Sequence, residues 1–409
     1  MSGTEAEFKY CSRDFLFTCV GLLLFLLDIG LDMLAAVSLY HEKAYVYFSL
    51  LLLFLFGSSV LVQVYSWLWY SYDEFKMKTK IEKVPSMSQL KVLHVFQLGI
   101  FLRYAGVMEK SVQSLYKKRA DAEGVAKFLR QDLRILRFVE TFSESAPQLA
   151  LMLTIILREG RLDPVTVLKA VGSTLAIASF LTTYHHSVRS FLCEKEKHHI
   201  ISLVLYFSWN LLLISSRLAA LALFASVLPC FIFTHFICSW LVLFFFAWRS
   251  KTDFMDGPGG EWLYRATVGL IWYFDWFNVT EGNTRNRTVL YHGFMLADIS
   301  VLCGVWCWRM STDPPEFVVQ PLHALITAVC VAGVYVLGLL LKVIYYKCFH
   351  PNLDGDQLKG ASTEQQPEYE LTGQNKEEHP EDGVGVHRSV TPPAHCHKRM
   401  RKLALNFYS

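Results

Sequence analysis

Eight stretches of this chain are each apolar for about the twenty residues a helix needs to cross roughly 30 Å of hydrocarbon. They cover 15–39, 45–70, 138–157, 165–184, 201–224, 230–248, 289–308 and 321–346. Hydrocarbon offers no water to satisfy a bare backbone, so runs of this kind must form helices. Composition agrees: 53% of the 409 residues are hydrophobic and 18% are charged, against about 25% charged in a soluble domain. That balance excludes a soluble enzyme and predicts an all-α integral membrane protein. The first run is longer than the apolar part of a signal peptide and lacks a small-residue cleavage site, so it reads as a retained span.

Two further segments, 90–108 and 262–279, are apolar but interrupted by His94, Gln97 and Arg103, and by Arg265 and Asp275. Interruptions of this kind suit partial, re-entrant insertion. With both segments returning to the side they left, the loops sort by charge as the positive-inside rule requires. One side collects Lys76, Lys78, Lys80, Lys83, Lys117, Lys127, Arg130, Arg134, Arg249, Lys251, Arg285 and Arg287, and the other little beyond Lys43, Arg161 and Arg309. A full crossing by either segment would put Arg285 and Arg287, or the basic block before 138, on the wrong side. Both termini are therefore expected in the cytosol.

The expected order is two spans, a re-entrant segment and two more spans, repeated once from 201 onward. This divides the chain into a cytosolic start (1–14), a first membrane half (15–200), a second (201–351) and a tail (352–409). Duplicated halves of this kind often enclose a site near the bilayer midplane. The tail is rich in Gln, Glu, Pro, Gly and His, which cannot bury a core, so it is expected to be a disordered cytosolic extension. Its last stretch, basic and then apolar from His397, suits an anionic membrane surface or the cytosolic face of the protein.

The net formal charge of +3 gives no reason to expect nucleic acid. No phosphate loop, nucleophile elbow, zincin helix or kinase set is present, and no enzymatic chemistry is expected. The scattered Cys and His residues lack metal-ligand spacing, so neither metal nor cofactor is expected. Asn278 and Asn286 each begin a glycosylation triplet, but the charge-derived topology puts both in the cytosol.

Acids within the runs are the informative feature. Asp28 and Asp32 stand four apart in the first, Glu140 and Glu144 four apart in the third, and Asp298 lies midway along the seventh. Four residues is about one helical turn, so each pair shares a face. An ionised carboxylate at mid-bilayer costs about 2.5–3.5 kcal/mol on insertion scales, so these groups must face protein or water. One reading makes them structural ion pairs with Arg217, Arg134, Arg137, Arg189 or the His185–His186 pair. The other sets five acids against one Arg inside the spans and infers a hydrated, cation-tolerant track at a helix boundary. Pro147 removes a backbone hydrogen bond beside the Glu pair and is expected to kink the third span there.

Several stretches resemble the XK-related protein family: LLDIGLD at 26–32, RFVETFSESAPQL at 137–149, FSWNLLL at 207–213 with Arg217, TDFM at 252–255, EWLYR at 261–265, WFNVTEG at 276–282, Tyr345-Tyr346 and His350-Pro351. The resemblance runs from about 15 to 351. It implies eight spans and two re-entrant helices in two pseudo-symmetric halves. It also implies an energy-independent phospholipid scramblase of the plasma membrane that exposes phosphatidylserine in apoptosis. Asp28, Asp32, Glu140, Glu144, Arg217 and Asp298 fall on the positions that form a headgroup path in that family. Implied partners are phospholipids, a single-span immunoglobulin-like chaperone such as basigin, and a caspase acting on the tail. The chain departs from the family in two places. Thr183 replaces an acid before Tyr184-His185. Before the candidate cleavage residues Asp354 and Asp382, Pro351 and His379 stand where relatives carry an acid. On the residues alone, a transporter or channel for a small polar solute or cation, or a non-transporting membrane subunit, is the alternative.

Overall fold

The computed structural model describes residues 12–117, 120–160, 164–189, 200–280, 285–312 and 320–348, apart from the side chains at several helix ends. The expected tail 352–409, with Asp354 and Asp382, lies outside the described residues. Among the described residues all regular structure is helical. The order is α1 (Ser12–His41), α2 (Tyr45–Tyr72), α3 (Met87–Val95), α4 (Gly99–Lys117), α5 (Ala120–Glu140), α6 (Ala146–Glu159), α7 (Pro164–Arg189), α8 (Ile200–Val227), α9 (Phe231–Arg249), α10 (Pro258–Trp272), α11 (Arg285–Thr312) and α12 (Pro321–Cys348). A π-helical turn, Thr141–Ser145, joins α5 to α6.

Six helices are long and apolar enough to cross a membrane: Thr18–His41 in α1, α2, Ile201–Val227 in α8, α9, α11 and α12. The protein is thus an all-α, multi-pass membrane protein, and these six match six of the eight expected spans. The expected span at 138–157 is the end of a longer helical run that starts at Ala120. Its first part did not show as an apolar run because α5 carries Lys127, Arg130 and Arg134 on one face. The other face buries Ala126, Leu129, Leu133 and Leu136, an amphipathic pattern with helical period. The expected span at 165–184 lies within α7.

Pro147 stands in the first turn of α6, directly after the π-turn. The wider turn gives the run a way to absorb the missing N–H. Residues 90–108 do not form one helix. α3 and α4 meet at 117°, with Gln97 at φ 63° in the left-handed region. Leu98 N bonds back to Leu93 O at 2.7 Å, and the Gln97 carbonyl accepts from Gln63 Nε2 at 3.1 Å. Gly99 follows at a point of close approach. A Cβ there would fall 2.5 Å from Gln63 Oε1 and 2.6 Å from His94 Nε2, so any larger residue must displace both side chains.

Residues 262–279 also differ from expectation. α10 begins earlier, with Pro258 in its first turn, where proline's missing N–H costs nothing. It stops at Trp272, and the irregular segment beyond is tied back by Trp272 Nε1 donating to Phe277 O at 2.9 Å. The family-like TDFM and EWLYR stretches form one clasp. Glu261 Oε2 accepts the amides of Phe254 at 2.9 Å and Met255 at 2.7 Å. Arg265 donates to Thr252 Oγ1 at 2.9 Å and to Thr252 O at 3.0 Å.

α8 is the central helix. In its most apolar window 72% of residues are buried, against 17% in α1, α2, α9 and α12, and it packs on α6, α7, α11 and α12. α1 is peripheral, resting on α2 and α4 through a narrow stripe that includes Thr18, Phe25, Asp32 and Ala36. Replacing Gly99 by Val is expected to destabilise the protein by about 1–3 kcal/mol through overpacking at the α3–α4 bend. A lower melting temperature of the purified variant in detergent checks this; an unchanged one would contradict the fit.

Candidate functional site

The five acids and one Arg expected to form one path occupy two separate clusters. The first lies between α1, α2 and the α5–α6 run. Arg137 Nη2 is 3.7 Å from Asp28 Oδ2, and its Nη1 is 2.6 Å from Glu140 Oε1, at an angle too oblique for a hydrogen bond. The guanidinium lies 4.5 Å over the ring of Phe25, which stacks on Tyr104 at 5.3 Å. One turn further along, Asp32 lies against Glu144 and Gln148. Glu144 in turn meets Ser58, whose Oγ accepts from Ser143 at 2.8 Å. Here the guanidinium pairs with two of four carboxyl groups, Asp28 and Glu140, and the other two lie against each other.

Matching in this cluster is incomplete. Glu140 is buried and its Oε2 has no hydrogen-bond partner. The Asp28 side chain is 43% exposed, between outward-facing Leu27 and Leu31. In a membrane protein that exposure faces the lipid side of a thinly covered helix. The cluster is therefore a groove, closed at the Glu140 end and open at Asp28.

The second cluster is built on α8, α9 and α11. The Arg217 side chain is 1% exposed, and its Nη1 stands 2.5 Å from Asp298 Oδ2. Its Nε donates to Tyr273 O at 2.9 Å, and the guanidinium lies 4.8 Å from that ring. His235 Nε2 is 3.0 Å from Asp298 Oδ1 and its Nδ1 is 3.0 Å from the Tyr273 hydroxyl. A neutral His235 protonated at Nε2 satisfies both neighbours, donating to the carboxylate and accepting from the tyrosine. This set is a compact, nearly one-to-one ion pair and fits the structural reading of the acids.

Aromatic rings separate the clusters. Phe142 and Phe274, both buried, stand 6.3 Å apart, and Phe138 meets Phe277 at 5.2 Å. No hydrogen bond or ion pair among the described residues links Asp28, Asp32, Glu140 or Glu144 to Arg217 or Asp298.

A third polar group escaped the sequence reading, which counted Arg217 as the cation of the spans. Lys342 of α12 is buried and lies 2.9 Å from His292 Nε2, whose Nδ1 is 2.9 Å from the Tyr335 hydroxyl. Trp209 offers its ring 4.8 Å from the ammonium, and buried Asp275 is its electrostatic counterpart. His235 and His292 were also missed. A lone His or Lys in an apolar run carries no partner signal, because each partner here lies on another helix.

Chemically, the first cluster can exchange contacts with a polar group that enters from the lipid side, whereas the second has its charges already matched. Comparison with known proteins adds the family. A family model described as XK-related protein matches residues 16–351. The chain belongs to this family. Proteins named XK-related protein 8 resemble it along most of their length. The one from Tetraodon nigroviridis is 42% identical over 352 residues, covering 85% of each chain. Its Gasterosteus aculeatus counterpart is 41% identical over 353 residues, covering 84% of this chain and 86% of the relative. That of Pan troglodytes is 36% identical over 371 residues, covering 89% and 92%. The family-like RFVETFSESAPQL stretch holds the Arg137, Glu140 and Glu144 groups of the lipid-side groove.

Arg217→Met is expected to cost about 3–5 kcal/mol, because it strands Asp298 without its partner. Arg217→Met combined with Asp298→Leu should recover much of that loss. Thermal unfolding of the purified variants checks the cycle, and simple additivity of the two changes would count against a closed pair.

Proposed function

We propose that this XK-related chain is an energy-independent phospholipid scramblase that exposes phosphatidylserine at the plasma membrane during apoptosis. The observation that carries this reading is the lipid-side groove, where one guanidinium pairs with two of four neighbouring carboxyl groups and the Asp28 side chain stays exposed. Scrambling requires a low-barrier route for the headgroup while the acyl chains remain in lipid, and no covalent step. Polar side chains that lack full partners inside the protein lower that barrier, because the headgroup exchanges water for them. Arg217 and Asp298, being matched to each other, serve this reading as the support that holds α8 and α11 together.

The proposal includes eight spans and two re-entrant segments in two related halves, with both termini in the cytosol. Two features support the halves. A Lys-Thr pair follows the second helix of each, at Lys78-Thr79 and Lys251-Thr252. A carboxylate from a later helix then accepts nearby amides, Glu109 from Ile81 at 2.8 Å and Glu261 from Phe254 and Met255. In each half, too, the first helix carries a charge paired with the third long helical run, Asp28 with Arg137 and Arg217 with Asp298. Control by cleavage after Asp382 or Asp354 and delivery with a basigin-like chaperone belong to the same reading.

The test is reconstitution in vesicles with tail-labelled fluorescent lipid and dithionite bleaching, using the full chain and a chain ending at Pro351. Bleaching beyond the outer leaflet by either preparation is expected. Loss of the outer-leaflet signal alone with both would overturn the proposal. Asp28→Asn with Glu144→Gln is expected to slow lipid movement by about tenfold while surface delivery persists. Loss of delivery alone would make these acids structural.

A further inference from the structure

The groove is not neutral toward its cargo. It sets Arg137 against Asp28 and Glu140, with Asp32 and Glu144 one turn further along α1 and the α5–α6 run, so carboxyl groups outnumber the one cation. Asp32 and Glu144 lie against each other. Two carboxyl groups in contact either share a proton or draw a cation between them. Buried Glu140 keeps an oxygen with no partner in the protein. Arg137 is held on Phe25 at 4.5 Å and makes only an oblique contact with Glu140 and a 3.7 Å contact with Asp28. Its remaining donors suit a phosphate.

Resting on the scramblase reading, we propose that this groove selects lipids whose headgroup carries an ammonium group beside its phosphate and discriminates against headgroups with no cation. The phosphate meets Arg137, and the ammonium meets the surplus carboxyl groups. Phosphatidylcholine, phosphatidylethanolamine and phosphatidylserine carry both parts. Phosphatidylglycerol carries the phosphate with no ammonium for the surplus carboxyl groups, whereas phosphatidylserine, of the same net charge, keeps one. The Arg217–Asp298 pair cannot supply such a preference, because its charges are matched and it is walled off by Phe142 and Phe274.

The experiment uses whichever preparation moves lipid in the vesicle assay, with tail-labelled phosphatidylcholine, phosphatidylserine and phosphatidylglycerol compared in vesicles of one fixed composition. The first two are expected to cross at least about tenfold faster than the third, the change made by one charge-assisted contact. Equal rates for all three would overturn the selectivity while leaving scrambling intact. If no lipid moves at all, the reading beneath it has failed instead. Asp32→Asn with Glu144→Gln should shrink the ratio, mainly by quickening phosphatidylglycerol, and an unchanged ratio in a folded variant would also count against the proposal. Where that variant does not fold, Asp28→Asn, on the exposed edge, gives the same readout. Choline trapped inside the vesicles should stay there. Its escape without lipid movement would assign the ammonium site to a soluble cation and overturn the lipid form of the proposal.

Discussion

Charge without water sets the terms for this molecule. A carboxylate or guanidinium among apolar helices must find its partners within the protein, since the surrounding lipid supplies none. Arg217 meets most of the requirement, with a carboxylate, a backbone carbonyl and an aromatic face around it, while its Nη2 has no hydrogen-bond partner. Because those partners come from α11 and the segment after α10, satisfying one side chain fixes several elements around the central α8. Lys342 does similar work between α11 and α12 through His292. The second half of the chain is organised by two buried cations, each matched on several sides.

The first half meets the same requirement only in part. Arg137 pairs with two of the four carboxyl groups there, and one of these, Asp28, faces outward on a helix with little cover. A protein selected for stability alone would be expected to complete these pairs or replace them with apolar side chains of similar volume, which is often the more stable solution. Their persistence beside the lipid is most simply understood if a polar visitor completes them. On the proposed function, the contrast between the clusters divides labour: α8 to α12 form a fixed support, and α1 with the α5–α6 run forms the working surface.

Much of this was legible in the chain, for physical reasons specific to each element. Apolar runs of bilayer length located α1, α2, α8, α9, α11 and α12, because lipid exposure demands an apolar surface all round. The same logic concealed α5, whose charged face looks polar in sequence while its other face fills the core with Leu133 and Leu136. Asp28, Asp32, Glu140, Glu144, Arg217 and Asp298 were visible as charges in the wrong solvent. Their grouping was not, since it depends on which helices adjoin and on the rings of Phe142 and Phe274 between them. The bend at Gln97 and the π-turn at Thr141–Ser145 were foreshadowed only by polar interruptions and by Pro147. A sequence shows that a helix must be disturbed more readily than it shows the form of the disturbance.

The narrow seating of α1 has one more implication. A helix held along a single stripe leaves the outer boundary of the Asp28 groove to be furnished by acyl chains, so the cavity is a composite of polypeptide and bilayer. Its dimensions then vary with the thickness and fluidity of the surrounding membrane, and a detergent micelle, which replaces that boundary with a looser one, would present a different receptor built on the same fold.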